Sequence, residues 1–187
     1  MTTDTDLAAL RRDVRYLMDR TAILDCIAGH ARGCDRHDPD LVTAAYRHDG
    51  IDEHGAAVNP GPGYAEWANR THAATSRVHT HHITTHTCEI DGDTAHAESY
   101  VIVVLLGLDG RSAQVIAGRY LDRLERTDDE WRIAVRRSTV ETMFGADASV
   151  LQSSFFKKAG YPVGTRDRSD LSYQRPLSMD TPAPARW

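Results

Sequence analysis

The apolar positions of the first third fall at Leu7, Leu10, Val14, Leu17, Leu24, Ile27, Ala28 and Ala31. Steps of three and four predict an amphipathic helix, with a break or kink expected near Asp19 to Thr21. In "DPDLVTAAY", Asp38 can cap a short second helix, Pro39 suits its first position, and Asp40 suits its positive end. The Gly- and Pro-rich "GIDEHGAAVNPGPGY" reads as strand fragments and loop, and Tyr64 to Ala74 as another helix. The pattern then changes to strand-like runs, His81 to Ile90, Thr94 to Leu106, Gln114 to Arg126 and Trp131 to Val140. They are separated by "DGD", "GLDGRS" and "TDDE", which suit hairpin turns and predict a four-stranded antiparallel meander. Helices followed by an antiparallel sheet predict an α+β domain with the helices on one face of a curved sheet. Beyond Met143 the pattern decays into a polar, proline-bearing tail, expected to wrap a neighbouring subunit or to be partly disordered. The predicted division is a domain over 1–145 and a C-terminal extension over 146–187.

Composition narrows the classes. A chain of 187 residues, 41% hydrophobic and 26% charged, suits one globular domain. No apolar run approaches the roughly 20 residues of a membrane span, and the N-terminus does not read as a secretory signal, so a cytoplasmic location with no membrane partner is expected. Net charge is -5 and the basic residues are scattered, which argues against nucleic acid and for a small-molecule partner. Cys26, Cys34 and Cys88 have no CxxC spacing and read as buried thiols.

Candidate chemistry concentrates in "VHTHHITTHTCEIDGD", which carries His79, His81, His82 and His86. On a strand His82 and His86 share a face but stand about 13 Å apart, too far for one ion. His79 and His81 are close enough to chelate, yet they need a third ligand, and no HExxH-like motif supplies one. No metal site is therefore predicted. His79 and His81 read as ordinary strand residues, and His86 as a pocket neighbour or a core histidine bonded to a hydroxyl such as Thr84 or Ser99. On the first helix, Asp35 lies within the arc of Leu24, Ala28 and Ala31, with His30 at its edge. A core-facing carboxylate is costly unless paired. Asp35 either turns away to cap "HDPD" or meet Arg32 or Arg36, or it meets a sheet histidine. In the second case the pair is a general base: the carboxylate fixes the imidazole tautomer and the free nitrogen takes a proton.

The segments "CDRHDPDLVTAAYRHDGIDEHG", "HHITTHTCEIDGDTAHAESYVIV" and "GRYLDRLERTDDEWRIAVRR", in this order and spacing, resemble the SnoaL-like branch of the nuclear transport factor 2 superfamily. The resemblance covers roughly residues 7 to 143. It implies a cone-shaped curved antiparallel sheet closed by helices around one deep, mostly apolar pocket, and a homodimer or homotrimer. That branch includes dehydratases, a dehydrochlorinase and polyketide cyclases, with an Asp near the end of the first long helix paired to a strand His. Asp35 matches the first position and His82 the second. His30 stands where the dehydratases often carry a tyrosine. The implied activity is cofactor-independent dehydration of a hydrophobic alicyclic, steroid-like or polyketide-like substrate. His82 is the base, Asp35 its orienting group, and His30 or a tyrosine assists water's departure. The alternatives are an isomerase or cyclase using the same dyad, or a non-catalytic small-molecule binder. Candidate substrate contacts are Tyr46, Tyr64, His86, Ser99, Tyr120 and Arg136, the last as an oxyanion binder.

Overall fold

The computed structural model describes residues 4–187. The first helix, α1, is a single element spanning Asp4–Arg36, with no break near Asp19. Its polar interruption is accommodated inside the helix. Asp19 faces inward and accepts from Arg126 Nη1 at 3.0 and 3.2 Å and from the Trp131 indole at 3.0 Å. Thr21 returns its hydroxyl to the Leu17 carbonyl at 2.9 Å, so neither residue ends the helix. Helix α2, Pro39–Ala45, starts at the Asp38 cap as predicted. It packs so closely on α1 that a Cβ at Gly33 would lie 2.7 Å from Val42 Cγ2.

"GIDEHGAAVNP" belongs to a hairpin of β1, Tyr46–His54, and β2, Ala57–Pro60. Helix α3, Tyr64–Thr75, follows, and then β3, Ser76–Asp91, β4, Thr94–Gly107, β5, Ser112–Thr127, and β6, Glu130–Asp147. The expected four strands are thus β3 to β6, each longer than the alternation suggested. The sheet runs β2-β1-β6-β5-β4-β3, curved and unclosed, with the helices packed on it. Every neighbouring pair is antiparallel except β1 with β6, which is parallel; α3 carries the chain from β2 at one edge of the sheet to β3 at the other. Asp128 and Asp129 both take positive φ in the β5–β6 turn, as a two-residue hairpin demands.

Ile23 and Ile27 of α1 and Val42 of α2 are fully buried in a core with Leu124 and Ile133 of the sheet. Each such side chain contributes about 1.5–3 kcal/mol. Leu10, Val14, Leu17 and Met18, on the earlier turns of α1, stay exposed.

One register shift shapes the site: β3 carries an extra residue between Ile83 and His86. Another lies between β5 and β6, where Ala117 faces Thr142 and Gly118 faces Val140, so that β6 carries the extra residue. The tail folds onto its own chain, through a 3-10 turn at Ser149–Gln152 and α4, Ser154–Ala159. It is anchored where α1 meets α2: Arg36 pairs with Asp170 at 2.8 Å, and the Tyr173 hydroxyl donates to Asp38 at 2.6 Å. Among the described residues no helix is long and apolar enough to cross a membrane.

Candidate active site

The last turn of α1 delivers Asp35 to the middle of β3. His81 Nδ1 lies 2.6 Å from Asp35 Oδ1, and the backbone N–H of His81 donates to Oδ1 at 3.1 Å and to Oδ2 at 3.0 Å. One residue thus grips the carboxylate through both its ring and its main chain. Both side chains are nearly closed off, at 12% exposure for Asp35 and 6% for His81. An ionised carboxylate only accepts, so Nδ1 carries the proton and Nε2 keeps a lone pair. Among the described residues none hydrogen-bonds Nε2. A groove of about 410 Å³ opens at this seam, lined by Ala28, Ala31, Arg32, Arg36, His82 and Ile83 besides the pair.

His82, the expected partner, is exposed, and its Nε2 contacts the Thr80 hydroxyl at 3.1 Å. The physical reason is the register shift. Ile83 pairs with Val101 and His86 with Ser99, so β3 spends one residue more than β4 over this interval. Before the bulge, residues 79, 81 and 83 face inward; after it, residues 86, 88 and 90 do. Unbroken alternation had placed His82 and His86 on one face, and the bulge separates them. His79 and His81, expected to be ordinary strand positions, are instead turned in. His86 Nδ1 lies 2.9 Å from the fully buried Ser99 hydroxyl, while its Nε2 is buried without a partner.

Deeper under α1, the remaining predicted residues form a continuous polar chain. Arg136 and Asp122 are a fully buried bidentate pair, Nε to Oδ1 at 2.7 Å and Nη2 to Oδ2 at 2.8 Å. Nη1 of Arg136 donates to His30 Nδ1 at 2.9 Å. The His30 proton must then sit on Nε2, which gives to the Tyr46 oxygen at 3.2 Å. The Tyr46 hydroxyl in turn donates to Asp52 Oδ2. The other Asp52 oxygen holds His54 Nδ1 at 2.5 Å, and the Tyr64 hydroxyl reaches His54 Nε2 at 3.2 Å. Tyr120 lies beneath the Arg136 guanidinium, 4.0 Å from ring centroid to Cζ.

This chain removes two expected roles. Both nitrogens of His30 are committed, and burial, then the Arg136 charge, holds its pKa well below the usual imidazole value, so it has no proton ready for a leaving group. Arg136 is fully engaged by Asp122, His30 and Tyr120, so it is not free to receive an oxyanion. Burial lowers its pKa, but Asp122 outweighs this and keeps it charged. Tyr46, Tyr64 and Tyr120 are buried, and burial raises all three phenol pKa values. The interior expected to be mostly apolar thus carries a charged centre.

Sequence reasoning missed His81 as the partner, and also Asp52, His54, Asp122, His72 and Arg166. Asp52 and His54 sit two apart in β1, a spacing that puts them on one face of a strand once β1 is recognised. Two triplets bring ligand-type atoms within 4.8 Å of one another, Asp35 with His79 and His81, and His37 with His72 and His79.

A family profile described as the SnoaL-like domain matches residues 15–137, more than half of the chain. The chain belongs to the SnoaL-like domain family. A comparison with curated proteins finds no match. Among solved structures, this SnoaL-like chain is 28% identical to a protein of unknown function from Mycobacterium tuberculosis, covering 68% of this chain and 74% of that one, with a TM-score of 0.61. It is 20% identical to the type 3 hexachlorocyclohexane dehydrochlorinase LinA of Novosphingobium barchaimii LL02, covering 72% and 94% with a TM-score of 0.66. It is 17% identical to a scytalone dehydratase-like protein of Novosphingobium aromaticivorans, covering 69% and 88% with a TM-score of 0.63. At such identities the last two likenesses show the shared fold.

Proposed function

We propose that this SnoaL-like protein is a lyase in which His81, oriented by Asp35, removes a proton from carbon next to a carbonyl or an activated ring. The C–H electron pair becomes a double bond as the bond to the leaving group breaks. For a hydroxyl leaving group, the oxygen takes the proton carried by the His81 imidazolium and departs as water; for a chloride, the anion departs and that proton is released to solvent. The observation that carries this reading is the 2.6 Å contact between His81 Nδ1 and Asp35, with Nε2 left unbonded by the described residues. The carboxylate fixes the tautomer that leaves Nε2 basic and stabilises the imidazolium formed when the proton arrives. Such a step needs neither metal nor organic cofactor. The dehydrochlorinase and dehydratase-like neighbours support elimination over other proton-transfer chemistry. A hydrophobic alicyclic substrate fits that company. We extend the proposal to a homo-oligomer, because Leu10, Leu17 and Met18 leave an apolar stripe of α1 exposed.

The test is a panel of alicyclic β-hydroxy ketones and chlorinated cyclohexanes followed by mass spectrometry. The expected product is lighter by one water or one HCl. Asp35→Asn and His81→Ala should lose that product, and His82→Ala should keep it. Product of unchanged mass would move the reading to isomerisation or cyclisation, and activity retained in His81→Ala would end it.

A further inference from the structure

A second histidine group lies beside the dyad. It joins His37, at the turn between α1 and α2, His72 in the last turn of α3, and His79 on β3. Ring centroids are 4.0 Å apart for His72 and His79, 5.7 Å for His37 and His79, and 6.4 Å for His37 and His72. One nitrogen from each ring lies within 4.8 Å of the other two. Buried polar atoms are normally paired, yet His37 Nε2 and His72 Nδ1 are buried with no partner. His79 Nε2 gives its proton to the Cys34 carbonyl at 3.1 Å, which leaves Nδ1 as a bare lone pair. A ring fixed through its second N–H to a backbone carbonyl is how metal-binding histidines are commonly oriented. Burial is the first cause that pushes the three pKa values down, to about 4 for His37, about 3 for His72 and about 2 for His79.

The lone pair of His79 already faces a cation. Arg166, from the tail, places Nη2 2.7 Å from His79 Nδ1 and also donates to the Ser76 hydroxyl at 2.6 Å and the Ser76 carbonyl at 2.6 Å. Its Nε is buried without a partner, and burial followed by repulsion from Arg36 lowers its pKa. No carboxylate forms an ion pair with it among the described residues. The guanidinium is held by neutral groups alone.

We propose that His37, His72 and His79 form a binding site for a divalent transition metal ion, zinc or cobalt, and that Arg166 competes with the ion for His79. Three neutral imidazoles suit such ions and not magnesium or calcium. Small ring rotations bring the nitrogens from within 4.8 Å to the separation of about 3.4 Å that a tetrahedral ion with bonds of about 2.0–2.1 Å requires. No sequence spacing announces the site, because its ligands come from a turn, a helix and a strand. The elimination reading uses none of the three as a reacting group, although His79 Nε2 lies 3.6 Å from Asp35 Oδ1.

The experiment strips the full-length protein with a chelator and titrates zinc by calorimetry and cobalt by visible absorption. One equivalent should bind, with the intense visible bands of tetrahedral cobalt. Arg166→Gln should tighten binding about tenfold or more, since it removes the competing charge. His72→Gln and His37→Ala should each abolish stoichiometric binding, and His81→Ala should retain it. Absence of stoichiometric binding in both the natural chain and Arg166→Gln would overturn the site, as would binding unaffected by His72→Gln and His37→Ala. Loss in His81→Ala alone would assign the ion to the dyad and overturn it too. Equal affinity in Arg166→Gln would overturn the competition.

Discussion

Two Asp–His arrangements lie under the same helix, and they differ in what is left over. In the chain from Asp122 through Arg136, His30, Tyr46 and Asp52 to His54, every ring nitrogen and hydroxyl meets a partner. At the seam of α1 and β3, Asp35 and His81 satisfy each other on one side only, and Nε2 of His81 remains. A closed network fixes geometry and has no proton to exchange without breaking itself. An open pair has a basic nitrogen to offer. Burial and a polar composition are common to both, so those features alone do not separate His30, whose ring nitrogens are both engaged, from His81, whose Nε2 is not.

The largest effect should come from opening the closed chain. Asp122→Ala leaves the Arg136 charge buried and unpaired, at a cost of about 3–5 kcal/mol in urea unfolding. A loss below about 1 kcal/mol would mean that the chain is not a structural unit. Next, His81→Ala and Asp35→Asn should lower turnover about 10²- to 10⁴-fold while unfolding shifts by only about 1–3 kcal/mol. Equal damage to stability and activity in these variants would erase the distinction between the two regions.

Acid should weaken the fold through its neutral histidines. His30, His72 and His79 have folded-state pKa values depressed below the ordinary 6.5, to about 3 for His72 and about 2 for His79. The unfolded chain then binds more protons, so their stability contribution is full above about pH 6.5 and is lost as pH falls toward those folded values. Urea midpoints measured from pH 7 down to pH 4 should decline, more steeply than in His72→Gln. The smallest effect belongs to His82→Ala, with turnover within about twofold and stability within about 0.5 kcal/mol. A collapse of activity there would restore the unbroken alternation of β3.

Much of this was legible in residues. Asp38 and Pro39 announce α2, and the apolar spacing announces α1; the arc of Leu24, Ala28 and Ala31 leads to Asp35, although only Ala31 of the three is buried and the inward face of α1 runs instead through Ile23, Ile27, His30 and Cys34. The hairpin of β1 and β2 was hidden by glycines and prolines that mark turns in most contexts. The partner of Asp35 was hidden for a different reason. A bulge adds one residue without any change in composition, and "HHITTH" reads the same with or without it; only the pairing of Ile83 with Val101 and of His86 with Ser99 shows the slip. Arg166 carried no signal, because its position depends on how an aperiodic tail folds back.

The central claim is that Asp35 holds His81 in one tautomer with a bare Nε2. Nitrogen-15 spectra of the imidazole rings at about pH 8, assigned by loss of signals in His81→Ala, test it most directly. The account predicts a protonated Nδ1 and an unprotonated Nε2 for His81, and loss of that preference in Asp35→Ala. A proton resident on Nε2 in the natural chain, or a tautomer indifferent to Asp35, would contradict it.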